Sequence, residues 1–226
     1  MDQTAALSKQ ERKRLEEMSL YESRVREKGF RFIAGVDEAG RGPLAGPVVA
    51  AACILPEGFL LENLNDSKLL TPALREKLYH QLIDNPQVQY GIGIVDPKTI
   101  DEINILQASF KAMLIAVENL PQRPDYLLID GKQIPNQAIP AEGIIKGDSL
   151  SQSIAAASIL AKYTRDQIMD ENHKRWPNYG FASHKGYATK AHIDAIKAHG
   201  PCPVHRLSFE PVKTFILKHK ALPVSK

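Results

Sequence analysis

Two adjacent carboxylates, Asp37 and Glu38, end an apolar run that begins at Phe32, and a turn rich in glycine with a single arginine, Gly40-Arg41-Gly42, precedes the next apolar run from Val48 to Leu55. Neighbouring side chains on a strand point to opposite faces, so one of the two acids is expected to point into a site. The device recurs. Tyr126-Leu127-Leu128-Ile129 ends in Asp130-Gly131, and Gly143-Ile144-Ile145 leads to Lys146-Gly147-Asp148. Four acids at or just beyond strand ends would repel one another if they converged, and without a cation one or more would take up a proton. A divalent metal resolves the conflict. An all-oxygen, carboxylate-dominated set with no His/Cys cluster suits Mg²⁺ or Mn²⁺, and hard cations held this way usually act on phosphates, two at a time in many nucleases. The glycines can take positive φ and let backbone approach another molecule, and Arg41 can fork onto a phosphate or a carboxylate. The stretch fits neither G-x-x-x-x-G-K-[ST] nor G-x-G-x-x-G, which argues against a nucleotide-binding loop.

The elements that must position these acids are legible in outline. Strands are expected at Ile33–Glu38, Val48–Leu55, Val88–Val95, Tyr126–Asp130 and Gly143–Ile145, with Gly91 and Gly93 marking a close backbone approach. Thr71-Pro72 supplies an N-cap and a first-turn proline for a helix to about Ile83. Asp101 is expected to cap a second helix whose apolar face is Ile103, Leu106, Phe110, Met113, Leu114 and Val117. Ser149 or Ser151 starts a long helix to about Asp170, and its run of small residues lets it lie close to a sheet. Thr189 to His199 is a further helix, stopped by Gly200-Pro201. Residues 1–30 are highly charged, with Leu7, Leu15, Met18, Tyr21 and Val25 at helical spacing, which reads as a solvent-facing helical extension. The fold class is therefore α/β, a mixed sheet flanked by helices with a helical C-terminal part.

Composition sets further bounds. With 226 residues and 43% hydrophobic content the chain can bury a sizeable core. Cys53 and Cys202 fit no zinc, haem or disulfide pattern and are expected to be reduced bystanders in a cytoplasmic protein. No signal-peptide pattern and no membrane-spanning run is found. Net charge is only +3, but residues 146–226 hold 13 Lys or Arg against 6 Asp or Glu, a distribution suited to a polyanion. His184, His192 and His205 sit among basic neighbours and are expected at the surface or on phosphates. Trp176 before Pro177 reads as packing at a helix end.

Taken in order, Gly35-Val36-Asp37-Glu38-Ala39-Gly40-Arg41-Gly42, Asp66-Ser67-Lys68, Ile129-Asp130-Gly131, Lys146-Gly147-Asp148, Ser158-Ile159-Leu160-Ala161-Lys162 with Arg165-Asp166, Ser183-His184-Lys185-Gly186-Tyr187 and His205-Arg206-Leu207-Ser208-Phe209 resemble bacterial ribonuclease HII. The resemblance implies a ribonuclease H-like fold over 31–212, between the N-terminal extension and a short basic tail at 213–226. It implies metal-dependent endonucleolytic hydrolysis, giving 5′-phosphates, of the RNA strand of RNA–DNA hybrids. Incision of DNA on the 5′ side of embedded ribonucleotides follows from it too, in ribonucleotide removal and primer processing. On this resemblance Asp37, Glu38, Asp130 and Asp148 are catalytic acids and ligands of Mn²⁺ or Mg²⁺, two ions during catalysis. Gly40, Arg41 and Gly42 read the ribose 2′-hydroxyl and flanking phosphate, Tyr187 packs on the neighbouring deoxyribose, and Lys68 and Lys146 contact backbone phosphates. The expected partner is nucleic acid, not membrane, and the expected state is a monomer. A silent nucleic-acid-binding module or another phosphoryl-transfer enzyme of this broad fold are the competing readings. Three strand-end acids disfavour the first, since a pure polyanion binder gains nothing from uncompensated negative charge beside its ligand.

Overall fold

A computed structural model describes residues 7–135 and 138–220. Five strands form one mixed sheet in the order β3-β2-β1-β4-β5, with β1 Ile33–Ala39, β2 Val48–Ile54, β3 Gln89–Val95, β4 Tyr126–Asp130 and β5 Ala141–Ile144. The first three strands form an antiparallel meander, and β4 and β5 join β1 in parallel. Eight helices are described: α1 Lys9–Glu17, α2 Leu20–Glu27, α3 Pro72–Ile83, α4 Pro97–Glu118, α5 Gln152–Arg175, α6 Phe181–His184, α7 Lys190–His199 and α8 Val212–Lys220. Among the described residues no helix is long and apolar enough to cross a membrane.

The strands' alternation divides the core between two faces. Ala34 and Val36 of β1, Val48 to Ile54 at every second position of β2, and Leu127 and Ile129 of β4 pack on α4. Ala51, Cys53, Ile33 and Leu128 face the other way, onto α5 and the helices around it. Both helices press directly on strand backbone. A Cβ on Gly91 or Gly93 would lie 2.1 or 1.9 Å from the carbonyl oxygens of Ala116 and Ala112 in α4, and one on Gly35 would lie 2.1 Å from the backbone of Ser153 in α5. The alanine-rich start of α5, from Ala155 to Ala161, is correspondingly buried.

Local signals set three helix starts where they were expected: Thr71 caps α3 ahead of Pro72, Ser151 caps α5 and Thr189 caps α7. The start of α4 differs. Asp96 is its N-cap, ahead of Pro97, and the helix is kinked at Asn104, whose side chain takes the N–H groups of Leu106 and Gln107. Asp101 instead accepts from the backbone of Leu207 and Ser208, at 2.8 and 2.9 Å, and so anchors the C-terminal segment. The tail also begins as helix: Val212 is buried and Phe215 packs beside it in α8, whereas residues 221–226 lie outside the described residues.

Among the described residues, α1 and α2 are exposed on their charged faces but bury their apolar stripe against the body of the fold. Leu15, Met18 and Val25 are buried, and the Glu22 carboxylate is keyed to the start of α5, accepting from Ser151 Oγ (2.6 Å), Ser153 N (3.0 Å) and Ser153 Oγ (2.7 Å). Negative charge at a helix N-terminus is favourable there. Helical spacing among mixed charges reveals the stripe but not what covers it.

Because α5 touches β1 with no side chain between, Gly35→Ala forces the helix off the sheet. Chemical denaturation is expected to show a loss of about 3 kcal/mol, at the upper end of ordinary overpacking. A loss below about 1 kcal/mol would mean the contact is soft.

Candidate active site

Strand parity and register build the acidic cluster. Asp37 shares the parity of Ile33 and Gly35, and Asp130 that of Leu128, so both project to the α5 face. The parallel pairing of Val36 with Ile129 then sets the two acids side by side at the carboxyl ends of β1 and β4. Asp148 arrives from the 3₁₀ turn Gly147–Ser149 that follows β5. Asp130 Oδ1 accepts from the N–H of Gly147 at 2.7 Å, tying the tip of β4 to that turn. Asp37, Asp130 and Asp148 each offer a carboxylate oxygen within 4.8 Å of the others. Glu38, of opposite parity, stays outside this trio, and its Oε1 lies 3.1 Å from Arg41 Nη1.

A hydroxyl pair supports Asp37 from below. Its carboxylate accepts from Ser158 of α5, and Ser158 Oγ lies 2.8 Å from Ser67 Oγ. The loop after Ser67 is held by Arg75, whose guanidinium donates to the carbonyls of Ser67 and Leu70 and pairs with Asp166. Lys68 extends from this loop to 3.4 Å from Asp148 Oδ2. Lys146 is exposed in a left-handed conformation two residues before Asp148.

Asp37, Glu38 and Asp148 hold their protons more strongly than free carboxyls do. Burial, then Glu38 and Asp130, raise Asp37 well above the usual carboxylate range. Burial raises Glu38 against the pull of Arg41, and burial with Asp130 and Asp66 raises Asp148 against the pull of Lys68. Burial would lower Lys68, but Asp66, Asp37 and Asp148 outweigh it and raise it. A trio of carboxylate oxygens this close, with one lysine near and no His or Cys ligand, fits a hard divalent cation with oxygen ligands.

Beside the acids the loop from Gly40 to Pro47 folds over two fully buried guanidiniums, Arg165 and Arg206. Gly40 has φ +96°, and a Cβ on it would lie 2.0 Å from Arg165 Nε. Burial, then the neighbouring Arg165, lower Arg206 to about 9, so it remains a cation at neutral pH. The segment carrying Tyr187 is stitched to the same loop, with Leu44 N–H donating to Gly186 O at 2.8 Å. Tyr187 is 45% exposed, and a Cβ on Gly42 would be 3.8 Å from its Cε1 atom.

The histidine expectation is overturned for His192 and His205, while His184 is partly exposed. His192 and His205 are buried, and burial pushes both down to about 4, so they are neutral at physiological pH and unavailable to phosphates. His205 Nδ1 accepts from Cys202 N–H at 2.9 Å, its Nε2 lies 3.0 Å from His192 Nε2, and His192 Nδ1 lies 2.9 Å from Tyr187 O. They brace the Tyr187 segment from inside. Trp176 closes α5 and packs on the C-terminal cluster. Ser158, Arg165 and Arg206 lie in motifs quoted above, but nothing in their spacing assigns them a partner.

A sequence model of the family described as "Ribonuclease HII" matches residues 34–212. The chain is 56% identical over 198 residues to a ribonuclease HII of Chlamydia caviae, covering 88% of this chain and 93% of that one. Among solved structures, the ribonuclease H2 of Pyrococcus horikoshii OT3 superposes with a TM-score of 0.68 at 28% identity, over 84% of this chain and 99% of that one. Bst-RNase HIII in complex with Mn²⁺ shares the fold with a TM-score of 0.60 at 18% identity, over 84% and 70%. With its mixed sheet, its strand-end acids and these likenesses, the chain belongs to the ribonuclease HII family, endoribonucleases that act on RNA–DNA hybrids.

Proposed function

We propose that this chain, acting as a monomer in the cytoplasm, hydrolyses the RNA strand of hybrids and cuts DNA on the 5′ side of embedded ribonucleotides, leaving a 5′-phosphate. The observation that carries this reading is the meeting of Asp37, Asp130 and Asp148 within reach of one cation, next to the Gly40-Arg41-Gly42 loop and Tyr187. In it, Asp37, Glu38, Asp130 and Asp148 hold Mn²⁺ or Mg²⁺. When bound, two such ions would offset the charge on the scissile phosphate, favour an attacking water and stabilise the departing 3′-oxygen.

The protein's own groups do the positioning. Ser158 and the N–H of Gly147 fix the Asp37 and Asp130 carboxylates before substrate arrives. The exposed loop at Arg41 and Gly42 meets the ribose, where backbone and guanidinium donors discriminate a 2′-hydroxyl from hydrogen. Tyr187 presents a ring to the sugar on the 3′ side, where a deoxyribose packs flat and a 2′-hydroxyl does not. Lys68 and Lys146 flank the acids as phosphate contacts.

Asp130→Asn retains the oxygen that accepts from Gly147 but removes a ligating charge. Cleavage is expected to fall by about 100-fold or more, while melting in chelator shows an equal or higher Tm because repulsion within the trio is relieved. A folded variant with near-native turnover would take Asp130 out of the site.

Protons and metal compete for the raised carboxyls of Asp37, Glu38 and Asp148. The metal-free fold binds these protons more tightly than the unfolded chain, so its stability declines as pH rises above the ordinary carboxyl range of about 4. Stabilisation by Mn²⁺ runs the opposite way and should grow from about pH 5 to about pH 8. Thermal melting with and without Mn²⁺ measures both trends, and an increment constant across that range would sink the competition.

Tyr187→Ala is expected to lose about tenfold more kcat/KM on DNA with one ribonucleotide than on a continuous hybrid. Equal losses on the two substrates would make the ring structural.

A further inference from the structure

Arg206 is, like Arg165, a costly side chain to bury. It is 0% exposed, and no carboxylate forms a salt bridge with it among the described residues. Withdrawing an ion from water costs several kcal/mol, and a well-packed apolar side chain in its place is often neutral or stabilising. Four of the guanidinium's five N–H groups donate to carbonyls of one loop: Nε to Gly46 O (3.0 Å), Nη1 to Arg41 O (2.9 Å), and Nη2 to Gly40 O (2.5 Å) and Pro47 O (3.1 Å). Its neighbour Arg165 adds Nε to Pro47 O (3.0 Å) and Nη2 to Ala45 O (3.1 Å).

The direction of those carbonyls has a consequence on the opposite side of the loop. A trans peptide unit is planar, with its C=O and N–H pointing in opposite directions. Turning Gly40 O inward therefore turns the Arg41 N–H outward, and turning Arg41 O inward turns the Gly42 N–H outward. Both residues are exposed, and among the described residues no acceptor is found for either N–H, whereas the amides of Leu44 and Gly46 are taken by Gly186 O and Val204 O. Successive outward N–H groups in a turn make an anion-accepting concavity. If either peptide unit flipped, a carbonyl would face the substrate and repel a phosphate oxygen.

Resting on the reading of this loop given above, we infer that Arg206 is a positioning residue for substrate discrimination: its fork locks the Gly40–Arg41 and Arg41–Gly42 peptide units so that two backbone N–H groups face the phosphate and ribose of the substrate. Arg206 touches no substrate itself. Lysine preserves the charge but cannot span the carbonyls of Gly40, Arg41, Gly46 and Pro47 from one rigid plane.

The test uses the full chain and two duplexes, one all-DNA and one with a single ribonucleotide, with Ca²⁺ in place of an activating ion. Arg206→Lys is expected to reduce the preference in Kd for the ribonucleotide duplex by about tenfold or more, and kcat/KM with Mn²⁺ by about 100-fold, while Mn²⁺ binding seen by calorimetry persists. A folded Arg206→Lys with an unchanged preference overturns the inference. Gly42→Pro deletes one of the two N–H groups outright and tests the underlying reading. If Gly42→Pro alone lowers the preference, the loop reads substrate but Arg206 does not set it, and if neither variant does, the loop reading itself fails. Should Arg206→Lys not fold, amide NMR of the native chain decides: the Arg41 and Gly42 signals are expected to shift when the ribonucleotide duplex is added, and their constancy while neighbouring signals move overturns the proposal.

Discussion

The close contact between α5 and β1 at Gly35 is the constraint on which the rest of the site depends. With no side chain between helix and strand, residues along α5 arrive at fixed heights over the sheet. Ser151 and Ser153 meet Glu22 at the helix start, Ser158 meets Asp37 two turns later, and Arg165 reaches under the Gly40–Pro47 loop two turns beyond that. Met169 continues the series, since a Cβ on Gly46 would lie 2.2 Å from its Sδ atom. Each of these contacts needs the helix within backbone distance of the strand. A single methyl at Gly35 displaces all of them together.

Electrostatics gives the site two halves of opposite sign. Three carboxylates converge at the ends of β1 and β4 and in the turn after β5, where burial and neighbouring acids oppose the ionisation of Asp37 and Asp148. Alongside them Arg165 and Arg206 are buried, among the described residues without a carboxylate in salt-bridge contact, and donate to loop carbonyls. Neither half is cheap in free energy, because both bury charge of one sign. Together they suit a ligand that brings cations to one half and phosphate oxygens to the other. The neutral histidines belong to a different layer. They carry no charge toward the substrate and instead connect Cys202 to the carbonyl of Tyr187, so that the ring's position is set from within the C-terminal cluster.

Much of this molecule is legible in its sequence because the relevant preferences are local. Apolar runs ending in Asp37-Glu38 and Asp130-Gly131 mark strand ends, and period-two alternation already puts one acid of each tip on a defined face. Thr71-Pro72, Ser151 and Thr189 satisfy free N–H groups within their own first turn, so their helices start where the residues say. Gly91 and Gly93 announce a close approach that α4 makes. The order of the motifs carries the family. What only the tertiary structure decided is the partner of each buried polar group. Asp101 reads as a helix cap, but packing brings it the N–H groups of Leu207 and Ser208 from the far end of the chain, and Asp96 takes the cap. His192 and His205 read as basic surface until Tyr179 and Phe181 cover them. Arg206 is counted with the cations suited to a polyanion, yet it faces inward onto the carbonyls of four loop residues. A residue's type states how many hydrogen bonds it must make, while the distant segment that accepts them is chosen by the fold.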